Sequence, residues 1–244
     1  MKAVVLAAGK GTRMGEITES IPKPMVEVGG RPLLWHLLKA LAGAGVESAA
    51  VVVGYMGGRV RSYFGDGADT GVRLSYFVQE VQDGTGKAAD PAAPFVGTSP
   101  FFLTYGDIVT ERSVYPAMVE EFSRVPTDFL MAVRSVEDPS RWGAVTLDGD
   151  RITGIVEKPP PGTLGTSWVN AGIFVVTSAL FGYTARLALS PRGEYELTDA
   201  VRMMIADGRA VRAFKMGSYW RDVGTPEDLA AADRDVGRGV GGEK

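Results

Sequence analysis

The 244-residue sequence contains no cysteine and only one histidine, His36. Without cysteine the chain cannot form disulfide bonds or use a thiolate as a nucleophile, and this composition fits a reducing compartment. His36 follows Trp35 in an amphipathic segment, which indicates a packing or surface residue. Chemistry that depends on a catalytic cysteine or histidine is therefore disfavoured.

Long hydrophobic runs and an excess of positive charge are also missing. No run approaches the roughly 20 apolar residues of a membrane span, and the apolar run 3–8 is too short for a secretory signal. The formal net charge of -3 argues against a nucleic-acid or anionic-membrane surface as the main partner. We expect a soluble, cytoplasmic protein with neither nucleic acid nor membrane as a partner.

Short apolar runs alternate with helical patterns through the first 135 residues. Apolar runs without polar alternation, separated by helices, are typical of a mostly parallel sheet covered on both faces. With 45% hydrophobic residues, the chain can bury one sizeable core. The pattern predicts a single-domain, Rossmann-like α/β fold with strands at 3–8, 48–55, 73–79, 100–107 and 128–135 and helices at 31–45, 57–64 and 113–124.

The character of the sequence changes near residue 136. The stretch "RWGAVTLDGDRITGIVEKP" (141–159) predicts a β-meander that turns at 148–150. We predict one domain over 1–236, made of a first half at 1–135 and a second half at 136–236, and a disordered tail at 237–244. The second half is expected to contain strands at 167–177 and 210–216, helices at 195–206 and 225–235, and a loop at 158–165.

The first strand runs into a glycine-rich loop, "VVLAAGKGTRMG" (4–15). Gly9 and Gly11 allow backbone N–H groups to approach a phosphate at the strand ends of a doubly wound sheet. Thr12 adds a hydroxyl, and Arg13 adds a guanidinium that can bind phosphate oxygens in bidentate fashion. The loop is predicted to bind phosphate, and a turn that needs glycine only for its geometry is the alternative.

Two other kinds of phosphate-binding loop fit poorly. The dinucleotide fingerprint requires a third glycine where this sequence has Met14. A P-loop around "GTGKA" (84–88) would need a glycine at Val81 and a hydroxyl at Ala88. A nicotinamide-dependent oxidoreductase and a P-loop kinase are therefore disfavoured.

A second cation follows in "IPKPMVEVGGRPLL" (21–34). Lys23 lies between Pro22 and Pro24, and two prolines favour an extended, stiff backbone that fixes the direction of the ammonium group. Together, "LAAGKGTRM" and "IPKPMVEVGGRPLLWH" resemble the sugar-1-phosphate nucleotidyltransferases, the nucleoside-diphosphate-sugar pyrophosphorylases. The resemblance implies their nucleotide-diphospho-sugar transferase fold, in which the first half binds the nucleotide and the second half the sugar phosphate.

In that family the first loop wraps the nucleotide phosphates, and Arg13 and Lys23 match its two phosphate-binding cations. The stretch "YFVQEVQDGTGKAA" (76–89) resembles the base-binding segment of uridylyl- and thymidylyl-transferring members. It implies that Gln79 reads the pyrimidine edge, since an amide offers one donor and one acceptor to uracil or thymine. The implied nucleotide-binding residues are Leu6, Ala7, Ala8, Gly9, Gly11, Thr12, Arg13, Lys23, Gln79, Gly84, Thr85 and Asp107.

Later motifs resemble the rest of the family's site. The segments "WGAV", "VEKP" and "VNAGIFVV" imply that Lys158 binds the sugar phosphate. "LTYGD" and "YWRDVGTPEDL" match the segments that carry the family's two metal-binding carboxylates, here Asp107 and Asp222. The implied cofactor is Mg2+, which suits carboxylates and phosphate oxygens. The sugar-phosphate site implied in this way comprises Gly143, Glu157, Lys158 and Asn170.

The implied reaction joins a nucleoside triphosphate to a sugar 1-phosphate. A phosphate oxygen attacks the α-phosphorus and pyrophosphate leaves, so the site must hold two anions in line, a task for cations and metal more than for a general base. Arg13, Lys23 and Lys158 are the implied catalytic cations. UTP or dTTP and a glucose-type sugar are favoured, and the family tendency implies a homo-oligomer.

Several alternatives are open at this point. Many family members have glycine at the position of Ala8 in the first loop, and alanine there is more typical of the uridylyl-transferring branch. The segments "WHLLKA", "GYMGGRV" and "TYGD", however, also resemble cytidylyl-transferring members. A GTP-using enzyme for mannose or heptose phosphate would need the same cations, and a catalytically silent regulatory homologue is a third alternative. Asp107 and Asp222 also fit ordinary turn or helix-capping roles. The 244 residues leave no room for the acyltransferase-type β-helix of bifunctional relatives or for the helical tail of long thymidylyltransferases, so we expect no allosteric site built on such a tail.

Overall fold

The computed structural model describes residues 1–238 of the chain. A nine-stranded sheet forms the centre of the fold, and two short ribbons lie beside it. Within the described residues the strands are β1 (Lys2–Ala7), β2 (Glu27–Val28), β3 (Arg31–Pro32), β4 (Ser48–Val53), β5 (Arg73–Val78), β6 (Phe101–Tyr105), β7 (Ile108–Thr110), β8 (Phe129–Ser135), β9 (Gly143–Asp148), β10 (Arg151–Glu157), β11 (Trp168–Val176), β12 (Val211–Lys215) and β13 (Trp220–Asp222).

Helices cover both faces of the sheet. Each long helix predicted from the sequence is present with ends that differ by at most a few residues, and the third coincides with its predicted range 57–64. The α-helices of the described residues are α1 (Ile17–Ser20), α2 (Leu33–Gly43), α3 (Gly57–Phe64), α4 (Ala93–Val96), α5 (Val114–Arg124), α6 (Leu180–Thr184), α7 (Leu197–Ala206) and α8 (Pro226–Gly237).

The large sheet has the strand order β5-β4-β1-β6-β11-β8-β12-β10-β9. Its first four strands pair in parallel, and so do β8 and β12. β11 is antiparallel to both of its neighbours, and β10 is antiparallel to β9 and β12. The expected mixed α/β sheet is confirmed, but "mostly parallel" describes only the first half of the chain. Antiparallel pairing prevails in the second half because strands such as β9 and β10 follow each other through short turns.

Alternate side chains of β1 enter two separate cores. Ala3 and Val5 pack beneath α2, α3 and α5 on one face. Val4 packs beneath α4, α6 and α7 on the other. Since successive side chains of a strand point to opposite faces, a fully apolar strand is stable only where both faces are covered.

A third, smaller core supports the two ribbons. Leucines and valines from β2, β7 and α2 meet the inner face of α8, where Ala232 is fully buried. The ribbons β2–β3 and β7–β13 were not predicted, because strands of two or three residues carry no periodic signal. They matter here because β7–β13 carries part of the site.

The structure also bears on two predictions outside the sheet, the absence of a membrane span and the C-terminal tail. Among residues 1–238, no helix has the length and apolarity needed to cross a bilayer. The predicted tail begins at Gly237, which ends α8, and everything after Arg238 lies outside the described residues.

Candidate active site

One cavity of about 480 Å³ opens at the carboxyl ends of β1 and β6. This is the edge at which doubly wound sheets bind their ligands. The structure brings every sequence-predicted site residue to the wall of this cavity. Those residues are Leu6, Ala7, Ala8, Gly9, Gly11, Thr12, Arg13, Lys23, Gln79, Gly84, Thr85, Asp107, Gly143, Glu157, Lys158, Asn170 and Asp222.

The loop after β1 is folded back on the segment that follows it. Gly11 has φ +68°, and a Cβ atom at this position would lie 3.0 Å from Cγ2 of Thr18 and 3.2 Å from Cβ of Lys23. The Thr18 hydroxyl donates to the Gly11 carbonyl at 2.9 Å. Glycine is needed here for both conformation and space, and the close packing holds the loop's backbone at the cavity.

Lys23 is buried and forms an ion pair with Asp107 at the wall of the cavity. Pro22 is extended as predicted, with φ -64° and ψ 141°. The expected extended backbone ends there, because Met25 donates its N–H to the Pro22 carbonyl at 2.8 Å and closes a 3-10 turn that begins at Lys23. The lysine direction is thus set by a proline followed by a tight turn.

The ribbon β7–β13 places the two predicted carboxylates together. Asp222 pairs with Ile108 in this ribbon, and Val223 donates its N–H to the Asp107 carbonyl at 3.0 Å. Asp107 directly precedes β7, so residues 115 positions apart, 222 minus 107, reach the same end of the cavity.

The electrostatics of the carboxylate pair favour a bound cation. Burial and then the neighbouring Asp107 carboxylate raise the pKa of Asp222, while Lys23, Arg13 and a hydrogen bond from Trp142 oppose that shift. Asp107 Oδ1 is buried and accepts no hydrogen bond from residues 1–238. Buried anions that repel each other are stabilised by a metal ion.

The donor set fits a hard cation that shares its coordination with a ligand. Nowhere in residues 1–238 do three histidine, cysteine or acidic side chains cluster as a complete metal cage. Two carboxylates leave coordination positions for phosphate oxygens and water, which is how Mg2+ is commonly held. Asp107 and Asp222 are therefore suited to Mg2+ together with a phosphate-bearing substrate.

The predicted base-binding segment, residues 76–89, is hydrogen-bonded to the loop before α7. Gln79 donates its amide to the Gly84 carbonyl at 3.1 Å. Gly84 has φ +120°, and a Cβ atom there would lie 2.3 Å from the carbonyl oxygen of Tyr195. Tyr195 donates its N–H to Asp83 and accepts from Gly86, both at 2.7 Å. Within residues 1–238 the Gln79 amide oxygen accepts no hydrogen bond, so it is available to a ligand, and these bonds set the shape of this part of the cavity.

The opposite end of the cavity carries Lys158 in a strained conformation. Its φ is +42°, a region that costs a non-glycine residue about 1–3 kcal/mol. Its N–H donates to the Trp142 carbonyl at 3.0 Å, and its ammonium lies 3.8 Å from Glu157 Oε1. A Cβ atom on Gly143 would lie 3.3 Å from Glu157 Oε2, so glycine keeps this part of the cavity open.

Asn170 lines the same end from β11. Its side-chain oxygen already accepts the Gly172 N–H at 2.8 Å. The amide nitrogen is therefore the group that Asn170 can offer to a ligand.

Several cavity residues were missed by the sequence analysis. Glu196 is buried, lines the cavity and pairs with Arg192 at 3.0 Å. Burial and then Glu157 raise the pKa of Glu196. Arg192 and Glu196 lie in the charged stretch 190–196, which is typical of a solvated loop. Its density of charged residues was the one signal in the sequence that could have indicated a site. Tyr105 and Arg141 are further wall residues that the sequence analysis missed. The sequence left Trp142 and Trp220 open as either pocket walls or core residues, and both line the cavity.

This fold and cavity define an α/β protein whose large cavity at the strand ends is lined by Arg13, Lys23 and Lys158. The chain belongs to the nucleotidyl transferase family, whose sequence model matches residues 2–239. The resemblance to sugar-1-phosphate nucleotidyltransferases is confirmed by relatives of that kind.

Three relatives illustrate the similarity. The UTP–glucose-1-phosphate uridylyltransferase AglF of Haloferax volcanii is 35% identical over 96% of both chains. A Streptomyces griseus glucose-1-phosphate thymidylyltransferase is 32% identical over 97% of this chain and 66% of its own. The bifunctional protein GlmU of Methanococcus maripaludis is 34% identical over 96% of this chain, which spans only 54% of that relative.

Solved structures share the whole fold. A Bacillus anthracis structure assigned as a glucose-1-phosphate thymidylyltransferase, in complex with a sucrose, has a TM-score of 0.88 at 30% identity and covers 100% of this chain and 98% of its own. A UDP-glucose pyrophosphorylase complexed with UDP-glucose has a TM-score of 0.89 at 23% identity, with 98% of each chain covered. The second likeness concerns the fold alone.

Proposed function

We propose that the chain is a sugar-1-phosphate nucleotidyltransferase, which joins a nucleoside triphosphate to a sugar 1-phosphate and releases pyrophosphate. The observation that carries the proposal is one cavity with Arg13 and Lys23 at the loop after β1, Lys158 at the sugar end, and a carboxylate pair beside Lys23. Two anionic substrates repel each other, and fixed cations at both ends reduce that repulsion.

At the nucleotide end, the backbone of the loop containing Gly9 and Gly11 approaches the triphosphate. Arg13 and Lys23 bind its phosphate oxygens and stabilise the charge that develops on the leaving pyrophosphate. Mg2+, held by Asp107 and Asp222, would supply charge neutralisation at the phosphates. Lys23 is already oriented by its ion pair with Asp107, so little reorganisation is needed on binding.

At the sugar end, Lys158 binds the phosphate of the sugar and directs one of its oxygens toward the α-phosphorus. The P–O bond to pyrophosphate breaks as the new P–O bond forms. A sugar phosphate is a dianionic nucleophile near neutral pH, so no side chain has to remove a proton. Glu157 and the Asn170 amide nitrogen bind sugar hydroxyls, and Gly143 leaves room for the ring.

UTP or dTTP with glucose 1-phosphate is the favoured substrate pair. The full-length similarity to AglF and the free amide oxygen of Gln79 support this choice. CTP or GTP with a glucose, mannose or heptose phosphate is the alternative pair, and a catalytically silent binding protein is the alternative role. The homo-oligomer and the cytoplasmic location stay predictions.

The test is pyrophosphate release with Mg2+, measured for UTP, dTTP, CTP, GTP and ATP against glucose, N-acetylglucosamine and mannose 1-phosphates. We expect release that requires both substrates, fastest with UTP or dTTP and glucose 1-phosphate. An Asp107→Ala variant should be inactive with the same pair. If no pair releases pyrophosphate while the triphosphates still bind, the favoured substrate pair is refuted, and an unusual sugar phosphate outside this panel or the silent homologue takes its place.

A further inference from the structure

Trp142 touches one of the two carboxylates directly. Its indole Nε1–H donates to Oδ2 of Asp222, with an N–O distance of 3.0 Å. Within residues 1–238 this is the one hydrogen bond that the Asp222 side chain accepts. Trp142 directly precedes β9 and Asp222 ends β13, so the contact joins two segments that lie 80 residues apart.

The two carboxylates are held in chemically different ways. Asp107 is paired with the Lys23 ammonium, a full positive charge. Asp222 is held by an indole, which donates a hydrogen bond but carries no charge and does not titrate. A carboxylate can turn about its terminal torsion at little cost. A neutral donor can therefore fix its orientation while leaving its negative charge available to a cation.

Trp142 is itself held in place from two sides. Its ring meets that of Trp220 edge to face, with centroids 5.8 Å apart. The guanidinium of Arg141 lies 5.0 Å from the ring centroid and pairs with Asp228 of α8 at 3.2 Å. These contacts restrict the indole to the orientation that reaches Asp222.

The backbone of the same residue contacts the other end of the site. The Trp142 carbonyl accepts the N–H of Lys158 at 3.0 Å. A side-chain substitution at position 142 preserves this backbone bond, so the role of the indole N–H can be measured by itself.

We propose that Trp142 is a positioning residue, which orients the Asp222 carboxylate for a divalent cation through its indole N–H. The inference rests on the proposed function in one respect, namely that Asp222 binds the cation. Groups that hydrogen-bond to metal ligands typically change metal affinity by about 10–100-fold when they are removed.

The test is direct Mn2+ binding to the full-length chain at pH 8, followed by water-proton relaxation without any nucleotide. Trp142→Phe keeps an aromatic ring and loses the N–H, and we expect its Kd for Mn2+ to rise about tenfold. Trp142→His places a ring N–H at the equivalent position, and its Kd should fall well below that of Trp142→Phe. Trp168→Phe makes the same substitution outside the cavity and should leave the Kd unchanged.

Equal Kd values for Trp142→Phe and Trp142→His would overturn the inference, because imidazole offers a ring N–H to Asp222 and a phenyl ring does not. A parent-like Kd in Trp142→Phe would overturn it as well. The Asp222→Asn variant distinguishes the proposed metal role of Asp222 from the positioning role of Trp142. If Asp222→Asn binds Mn2+ like the parent, the proposed metal role of Asp222 fails; if it loses binding while Trp142→Phe does not, only the positioning role fails.

Discussion

The guanidinium of Arg13 lies against the backbone of Gly224. A Cβ atom on residue 224 would lie 3.2 Å from Nη2 and 3.3 Å from Cζ of Arg13. The Arg13 guanidinium therefore packs against Gly224, which follows Asp222 by two residues. The contact joins two distant segments of the chain, one of which carries Arg13 in the cavity wall.

Substitution of that glycine should displace Arg13. In Gly224→Ala the added methyl group pushes the guanidinium by a few tenths of an ångström, and small misplacements of this kind are costly when charge must be aligned. We expect turnover to fall about tenfold with stability little changed. Gly217→Ala is the matched control, since a Cβ atom at position 217 meets nothing within 4 Å. Parent-like turnover in Gly224→Ala would show that the contact does not position Arg13.

Removal of the Lys23 ammonium should affect catalysis far more than folding. Lys23→Met keeps the length of the side chain, but it leaves Asp107 without its partner and the triphosphate without a cation. Loss of one preorganised group of this kind typically costs about 100-fold in kcat. Lys39→Met is the control, because Lys39 lies over Trp35 outside the cavity. A kcat close to that of the parent in Lys23→Met would contradict the assignment.

Gly84 is the position where a side chain should be least tolerated. Alanine at φ +120° is strained, and its Cβ would lie 2.3 Å from the Tyr195 carbonyl oxygen. We expect Gly84→Ala to lower the free energy of unfolding by about 3 kcal/mol or more. Gly71→Ala also has a positive φ, in the left-handed helical region, but its Cβ would meet only Cβ of Ala42 at 3.6 Å, so its cost should be about 1 kcal/mol. Urea unfolding of both variants checks the difference, and equal losses would refute the contact.

His36 should make stability depend on pH near neutrality. Its Nε2 lies 2.7 Å from the Val28 carbonyl, and burial, opposed by that hydrogen bond, lowers the His36 pKa below the ordinary 6.5. Below pH 6.5 the unfolded chain therefore binds a proton more readily than the folded chain, so stability falls on acidification.

The comparison of parent and His36→Gln isolates this effect, because the sequence has no second histidine. The free energy of unfolding, measured in urea at pH 7.5 and 5.5, should decrease more in the parent than in the variant. The same decrease in both proteins would show that other groups cause the pH dependence.

Much of the fold and site could be read from local patterns. The loop after β1 was predicted because an apolar strand ends in Gly9 and Gly11, and Asp107 because the short motif "LTYGD" resembles a family segment. Strand and helix periodicity are short-range properties of the chain, so they survive in the sequence. The antiparallel pairing of β11 with its neighbours and the ribbon β7–β13 could not be predicted in this way. They depend on pairing between segments that are distant in sequence, and such pairing produces no short-range pattern.

Residue types and motifs were enough to predict the groups in the site: a glycine loop, three cations, three carboxylates and two side-chain amides. Only the tertiary structure decided which groups touch, as in the contact of Trp142 with Asp222 and of Arg13 with Gly224. The physical reason is that residue type and spacing set local conformation and chemistry. Contact across 80 or more residues is set by sheet order and core packing, which no short window of sequence contains.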